Sequence, residues 1–445
     1  MRRLALVCGG TVVSACVPGG GEPAAPPQPT PARRAAPYTV RLTSWGDASL
    51  GRLLVTVADD LRRQALDVRL EVEHQAVAPE DEWRAHARLG AAIADGSVAD
   101  LVHQPGAEWQ PYAARGSLQP LNEHAARDKW TLPWTDDDAY EAQSRFRGKR
   151  YLATLSAYPQ LLYWRRDAFA RAGVGPPRPD WTYLEFQDAA QRLTRRVDGQ
   201  SRFGYDWSPG YTANLAWWRM NGHSEWDRLS EPRQAQWTHP AVVEALQYQL
   251  YDSQHTLRIA PTHAQKLNDP RLRLEHGAIA MAVGGLDLLP RVAGQPVDVQ
   301  LLPTGKTRRK VHVAALDGLV MMRNTKDRDG AWETLKWLTS ENGQWRVAEA
   351  GRLCASPELA RRFWLPMARA RYGLPSIEVV PRTLEGATAG LCGEVSERVL
   401  DRDAGLAEAL DEVRDARATA KQALERLQPR LQRVLDSYWS AEQAR

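Results

Sequence analysis

Residues 38–45 read YTVRLTSW, an alternation of apolar and polar positions that predicts a strand with one buried face, closed by Gly46-Asp47. From Leu50 to Ala65 the spacing changes. Leu53, Leu54, Val57, Ala58 and Leu61 fall on one side of a helix. Alternation returns at Leu66, Val68, Leu70 and Val72, followed by a helical stretch from Trp83 to Ala94 and a short apolar strand from Ala99 to Val102. This β-α-β-α-β order predicts a parallel sheet covered by helices. Ligands of such sheets sit beyond the carboxyl ends of the strands, so Trp45, Asp47 and the His103-Gln104 pair are the first candidate contacts.

Farther along, the segment from about Tyr158 to Trp237 reads as mostly helical and rich in aromatic residues. Strands are expected at Ile279–Val283, ending on Gly284-Gly285, then at 297–302, 311–316 and 318–322, with amphipathic helices at 331–338 and after Gln344. From Leu406 to Tyr438 apolar residues recur at three and four. Pro429 would kink one continuous helix, so two shorter helices packed on the body are expected.

The chain ends add location. Arg2 and Arg3 precede an apolar run, Leu4 to Val13, that is too short for a permanent span and reads as a signal peptide over residues 1–15. Val13-Ser14-Ala15-Cys16 places small residues before a cysteine, as in a bacterial lipobox, and marks Cys16 as the lipidation candidate. The alternative is a secretory peptide with a chance cysteine. Residues 16–37 are largely Pro, Gly and Ala, and read as a flexible tether. The remaining body of about 400 residues exceeds one ordinary core and suggests two lobes.

With 58 basic and 54 acidic residues the net charge is +4, which falls to +2 without Arg2 and Arg3, too balanced for a nucleic-acid partner. Cys354 and Cys392 remain in the body. In an oxidising compartment they could pair, stabilising by roughly 3–4 kcal/mol, or stay as two buried thiols. His and Cys spacings suit no metal site. Nucleophile-elbow, phosphate-loop and dinucleotide fingerprints are also missing from the sequence, so no catalytic residue, metal or cofactor is expected.

The 17 tryptophans outnumber the 5 phenylalanines, a preference that space filling does not require. Saccharides are held by aromatic rings stacked on C–H faces and by planar polar groups that fork onto hydroxyls. The densest aromatic cluster is Trp207-Ser208-Pro209-Gly210-Tyr211 with Asn214, Trp217 and Trp218. The two adjacent tryptophans point about 100° apart on a helix, so one of them is expected in the core.

Six ordered segments then resemble one family. They are Ala99-Asp100-Leu101-Val102 with Tyr112 to Leu118, Phe146 to Tyr151, Leu162 to Gly173, Pro179 to Glu185, Gly277 to Met281, and Gly318-Leu319-Val320 with Ala331 to Gln344. This pattern resembles the family 1 extracellular solute-binding proteins, the maltose-binding-like receptors of ABC importers. Trp164-Arg165 departs from the Tyr-Asn pair usual there. The resemblance implies an α/β, periplasmic-binding-protein-like fold: two α/β lobes joined by crossover hinges, with an interlobe ligand cleft.

Lobe one is expected at 38–150 plus 303–340 and lobe two at 151–302 plus 341–445, with hinges at 151–156 and 297–303. The implied function is capture of a sugar or oligosaccharide by lobe closure and delivery to membrane permease subunits. The protein would be a monomer held to the membrane by its lipid anchor. The candidate ligand contacts are Trp45, Asp47, Gln104, Trp109, Tyr158, Trp207, Tyr211, Trp218, Gly285, Asp287 and Asp317, of which Trp207 and Tyr211 occupy the place of the family's aromatic ligand loop. Competing readings are a non-sugar receptor, a scaffold of the same fold, and an exported glycan-cleaving enzyme.

Overall fold

The computed structural model describes residues 37–443 except 65–66, 78–81, 107, 132–141, 198, 207–213, 230, 306–310 and 390–396. The signal segment, Cys16, the tether, Trp207, Tyr211 and Cys392 lie outside the described residues.

The strands are β1 (Tyr38–Gly46), β2 (Val68–Ala76), β3 (Leu101–Pro105), the small hairpin β4 (Arg145–Phe146) and β5 (Lys149–Arg150), β6 (Leu152–Pro159), β7 (Leu161–Arg165), β8 (Arg195–Val197), β9 (Gln200–Asp206), β10 (Ile279–Gly284), β11 (Val297–Gln300), β12 (His312–Met321), β13 (Leu353–Cys354) and β14 (Ala387–Ala389). They form a seven-stranded sheet in the order β13-β6-β12-β3-β1-β2, with β14 beside β12, and a five-stranded sheet in the order β11-β7-β10-β9-β8. The α/β expectation holds, and β1 is parallel to both β2 and β3 as the β-α-β-α-β pattern requires.

The helix Ala48–Arg63 shows why the first lobe folds locally. Asp47 directly follows β1 and caps the helix, accepting from the Ser49 and Leu50 amides at 2.7 and 3.2 Å. Leu50, Leu53, Leu54, Val57, Ala58 and Leu61 then form one buried stripe. Full burial of each leucine contributes about 1.5–3 kcal/mol. The cap therefore fixes where the helix starts and holds a carboxylate at the carboxyl end of β1.

Three chain segments pass between the sheets. β6 lies in the first sheet and β7 in the second, with only Gln160 between them. β12 returns the chain, pairing antiparallel with both β3 and β6. The Gly351–Ser356 stretch, including β13, leaves the first sheet again for the helical segment 357–384. Leu152–Pro159, placed by the sequence reading beyond a boundary at 150, pairs within the first sheet. The helix Glu341–Glu349, placed in the second lobe, packs against the helices Ala48–Arg63 and Arg328–Thr339 of the first.

Three local readings are corrected. The middle segment is not mostly helical, because it contains β7, β8 and β9. β7 reads LLYWR and is buried at every position, so no alternation marks it. The strands expected at 311–316 and 318–322 are one strand, β12, broken only by a bulge between Asp317 and Gly318. At the C-terminus the two expected helices are present as Leu406–Arg414 and Ala420–Gln443, but the break between them is not at Pro429, which lies inside the second. Pro429 is exposed there, where water can satisfy the carbonyl its ring leaves free.

Candidate ligand cleft

A cleft of about 1000 Å³ opens where the crossovers meet the carboxyl end of β1. Asp47 and Arg52 line it from the first helix, Tyr158 from the end of β6, Gly285 and Asp287 from the loop after β10, and Arg352 from the third crossover. Tyr372 adds a second aromatic ring. The residues come from both sheets, so the cleft lies between the lobes.

Arg352 organises its floor. The side chain is only 7% exposed and donates through Nη1 to Asp47 Oδ2 at 3.0 Å and through Nη2 to Asp317 Oδ2 at 2.9 Å. Its guanidinium stands 5.3 Å from the centroid of the Tyr158 ring. Burial pulls the guanidinium's proton affinity below its ordinary value, and the Asp47 charge opposes that shift.

Asp317 is almost fully buried. Its Oδ1 accepts from the Ser156 amide at 2.9 Å and from the Ser156 hydroxyl. His103 Nε2 approaches Oδ2 at 3.0 Å and must donate, since a carboxylate only accepts; the Tyr158 hydroxyl donates to the same oxygen at 3.3 Å. One carboxylate of β12 thus ties β3, β6 and the third crossover together.

Asp47 differs from Asp317 in exposure, with 63% of its side chain accessible in the cleft. Burial opposes its ionisation, but hydrogen bonds from Ser49 and the charge and hydrogen bond of Arg352 outweigh it, holding the carboxyl at about 2. The cleft thus presents an ionised, pre-oriented acceptor, Asp47, beside the fixed guanidinium of Arg352, groups that suit a polyhydroxyl ligand.

Of the described candidates, Asp47, Tyr158, Gly285 and Asp287 line the cleft, with Asp317 behind Tyr158 and Arg352. The others do not reach it. Trp45 is 4% exposed and packs edge-on against His86. Trp109 is buried against Tyr151, and Gln104 is buried in β3 opposite Gly318. Trp218 donates its Nε1 to Gln249 at 3.0 Å and packs on Trp237 in the second core, so both members of the Trp217-Trp218 pair are internal. In each case the side chain points to a buried face, so the three rings are spent on packing and Gln104 is enclosed in the sheet.

Trp164 and Arg165 also face inward. Trp164 meets Phe169 edge-on, and Arg165 is held by Asp167, the Leu274 carbonyl and Gln295. Cys354 is a buried thiol bonded to the Gln344 carbonyl at 3.4 Å. Arg352, Arg52 and Tyr372 were absent from the sequence candidates. A glycine followed by arginine at a helix end carries no motif, and the Arg352–Asp47 contact spans 305 positions.

Two α/β lobes around a cleft floored by their own crossovers define a ligand-binding protein of the periplasmic-binding-protein type. The chain belongs to the bacterial extracellular solute-binding protein family, whose model matches residues 58–345. A binding protein of Brucella abortus is 22% identical over 268 residues, covering 58% of this chain, and the match spans 62% of that relative's length. Among solved structures, an ABC substrate-binding protein from Listeria monocytogenes in complex with cycloalternan superposes with a TM-score of 0.72 at 19% identity, over 91% of this chain and 98% of that one. The cyclic alpha-maltosyl-1,6-maltose binding protein from Arthrobacter globiformis gives a TM-score of 0.72 at 18% identity, over 90% and 100% of the two chains.

Proposed function

We propose that this protein is the exported receptor of an ABC importer, capturing a sugar or oligosaccharide between its lobes and presenting it to membrane permease subunits. The cleft carries the reading. Its volume of about 1000 Å³ stands at the upper end of the roughly 300–1000 Å³ usual for small-molecule sites, which suits an oligosaccharide. Tyr158, 37% exposed, and Tyr372 offer ring faces to sugar C–H groups, while Asp47, Asp287 and Arg352 offer hydrogen bonds to hydroxyls. Of the two neighbouring structures named above, one is in complex with cycloalternan and the other is a cyclic alpha-maltosyl-1,6-maltose binding protein, in agreement with this choice.

The work done on the solute is binding, with no bond made or broken. A solute touching both walls favours the closed arrangement by its differential affinity, and the permease reads that arrangement. The lobes divide by sheet membership, with β6, β12 and the Gly351–Ser356 segment as hinges. Cys16 carries the lipid that keeps the monomeric receptor at the outer face of the membrane, with residues 17–37 as its tether. Trp207 and Tyr211, outside the described residues, stay ligand candidates on the strength of the family resemblance.

A thermal-shift screen of mono- and oligosaccharides tests the reading. One saccharide class is expected to raise the melting temperature, and a screen with no shift would return the protein to a non-sugar receptor or a scaffold. Release of reducing ends from any of these sugars would favour the enzyme instead. Metabolic labelling with a radioactive fatty acid is expected to mark the wild type and not Cys16→Ser; equal labelling would remove the anchor.

A further inference from the structure

We infer that the captured saccharide is acidic, carrying a carboxylate or a phosphate, and that Arg52 and Arg371 receive it. This rests on the saccharide reading above and adds the charge of the ligand.

The charges around the cleft do not balance. Its two lining carboxylates each have an arginine: Asp47 faces Arg352 at 3.0 Å and Asp287 faces Arg291 at 3.2 Å. Arg352 is further engaged by Asp317. Arg52 and Arg371 line the same cleft from opposite helices, both are exposed, and neither forms an ion pair among the described residues. Because Arg352 answers both Asp47 and Asp317, these three carboxylates and four arginines leave one net positive charge at the cleft, and Arg52 and Arg371 are the two of its guanidinium groups with no ion-pair partner among the described residues.

Arg371 is also positioned. Its Nη2 donates to the Glu349 carbonyl at 3.0 Å, which fixes the group without neutralising it. Its Nη1 lies against the backbone of Gly351, where an added Cβ would stand only 2.3 Å away, and Gly351 has a φ of +86°. A side chain at 351 would displace the guanidinium. Gly351 thus does two jobs, ending the helix in the left-handed region and leaving room for the cation beside the third crossover.

An exposed arginine on a convex surface needs no partner, because water solvates it. Lobe closure removes that water, and a cation losing water must gain a counter-ion or weaken closure. The planar guanidinium fork matches a carboxylate or phosphate with two parallel hydrogen bonds. A uronate residue or a sugar phosphate stacked on Tyr158 or Tyr372 supplies that anion.

The test is titration calorimetry of the purified protein with matched pairs: oligogalacturonates against their carboxyl-reduced counterparts, and hexose phosphates against the free hexoses. The acidic member of one pair is expected to bind at least about tenfold more tightly than its neutral partner. Preference within the uronate pair identifies a carboxylate, and within the phosphate pair a phosphate; either supports the assignment. Arg52→Gln and Arg371→Gln are each expected to weaken the acidic ligand about fivefold or more and change neutral binding less than about twofold. Both variants should melt with the wild type, because neither residue is buried. Neutral members binding as well as acidic ones, or variants without effect, would overturn the charge assignment and leave a receptor for neutral saccharides. If no saccharide of either kind binds, both readings fall.

Discussion

Arg352 Nη2 and Asp317 Oδ2 meet at 2.9 Å in the buried floor of the cleft, one from the third crossover and the other from the bulge of β12. On the capture proposal, the pair joins segments that keep their mutual position while the lobes close around them. Removing the charge of Asp317 leaves a guanidinium that is 7% exposed with only Asp47 to answer it. Asp317→Asn also turns an amide nitrogen or oxygen toward His103, Tyr158 and Arg352, all of them donors. A loss of about 3–5 kcal/mol in urea unfolding is expected. A loss below about 1 kcal/mol would show that the pair is incidental.

Asp47 sets an acid limit on stability. Its folded value of about 2 lies below the ordinary 3.8. The unfolded chain binds the proton more readily, so the stabilisation is fully present above about pH 4 and is lost as pH falls from about 4 to about 2. Melting temperatures of the wild type and Asp47→Asn are expected to differ at neutral pH and to converge over that interval. A difference independent of pH would place the effect in the helix cap alone.

Gly318 of β12 packs closely against the backbone of its neighbour β6. A Cβ there would stand 2.3 Å from the Ala153 carbonyl oxygen. Backbone cannot rotate away as a long side chain can, so Gly318→Ala is expected to cost about 1–3 kcal/mol in chemical denaturation. The wild-type stability in that variant would mean that β6 and β12 can separate freely.

Tyr158 has a ring in the cleft and a hydroxyl on Asp317. Tyr158→Ala is expected to weaken saccharide binding about tenfold or more, through the lost stacking face. Tyr158→Phe, which keeps the ring, is expected to retain most of the affinity. Equal losses in the two variants would assign the effect to the hydroxyl and not to stacking.

The sheet was legible where one face of a strand meets a core and the other meets water. Val40 and Leu42 of β1 alternate with exposed neighbours, and the pattern located both the strand and its cleft end at Asp47. It was silent at β7, whose residues are buried throughout, and at β12, whose bulge looked like a break between two strands. In the cleft, the strand-end rule pointed to Asp47, and turn residues pointed to Gly285 and Asp287. Tryptophan content was a poorer guide. Trp45, Trp109 and Trp218 occupy cores, since nothing in a sequence tells a ring packed inward from one turned outward. Arg352 could not be found at all from local pattern, because its partners Asp47 and Asp317 lie 305 and 35 positions away.

Capture between the lobes is tested most directly by small-angle X-ray scattering of the protein with and without a saturating saccharide from the thermal-shift screen. A smaller radius of gyration is expected on binding, and the same ligand should leave the Tyr158→Ala variant unchanged at that concentration. A saccharide that binds tightly with no change in the radius would contradict closure as the means of capture.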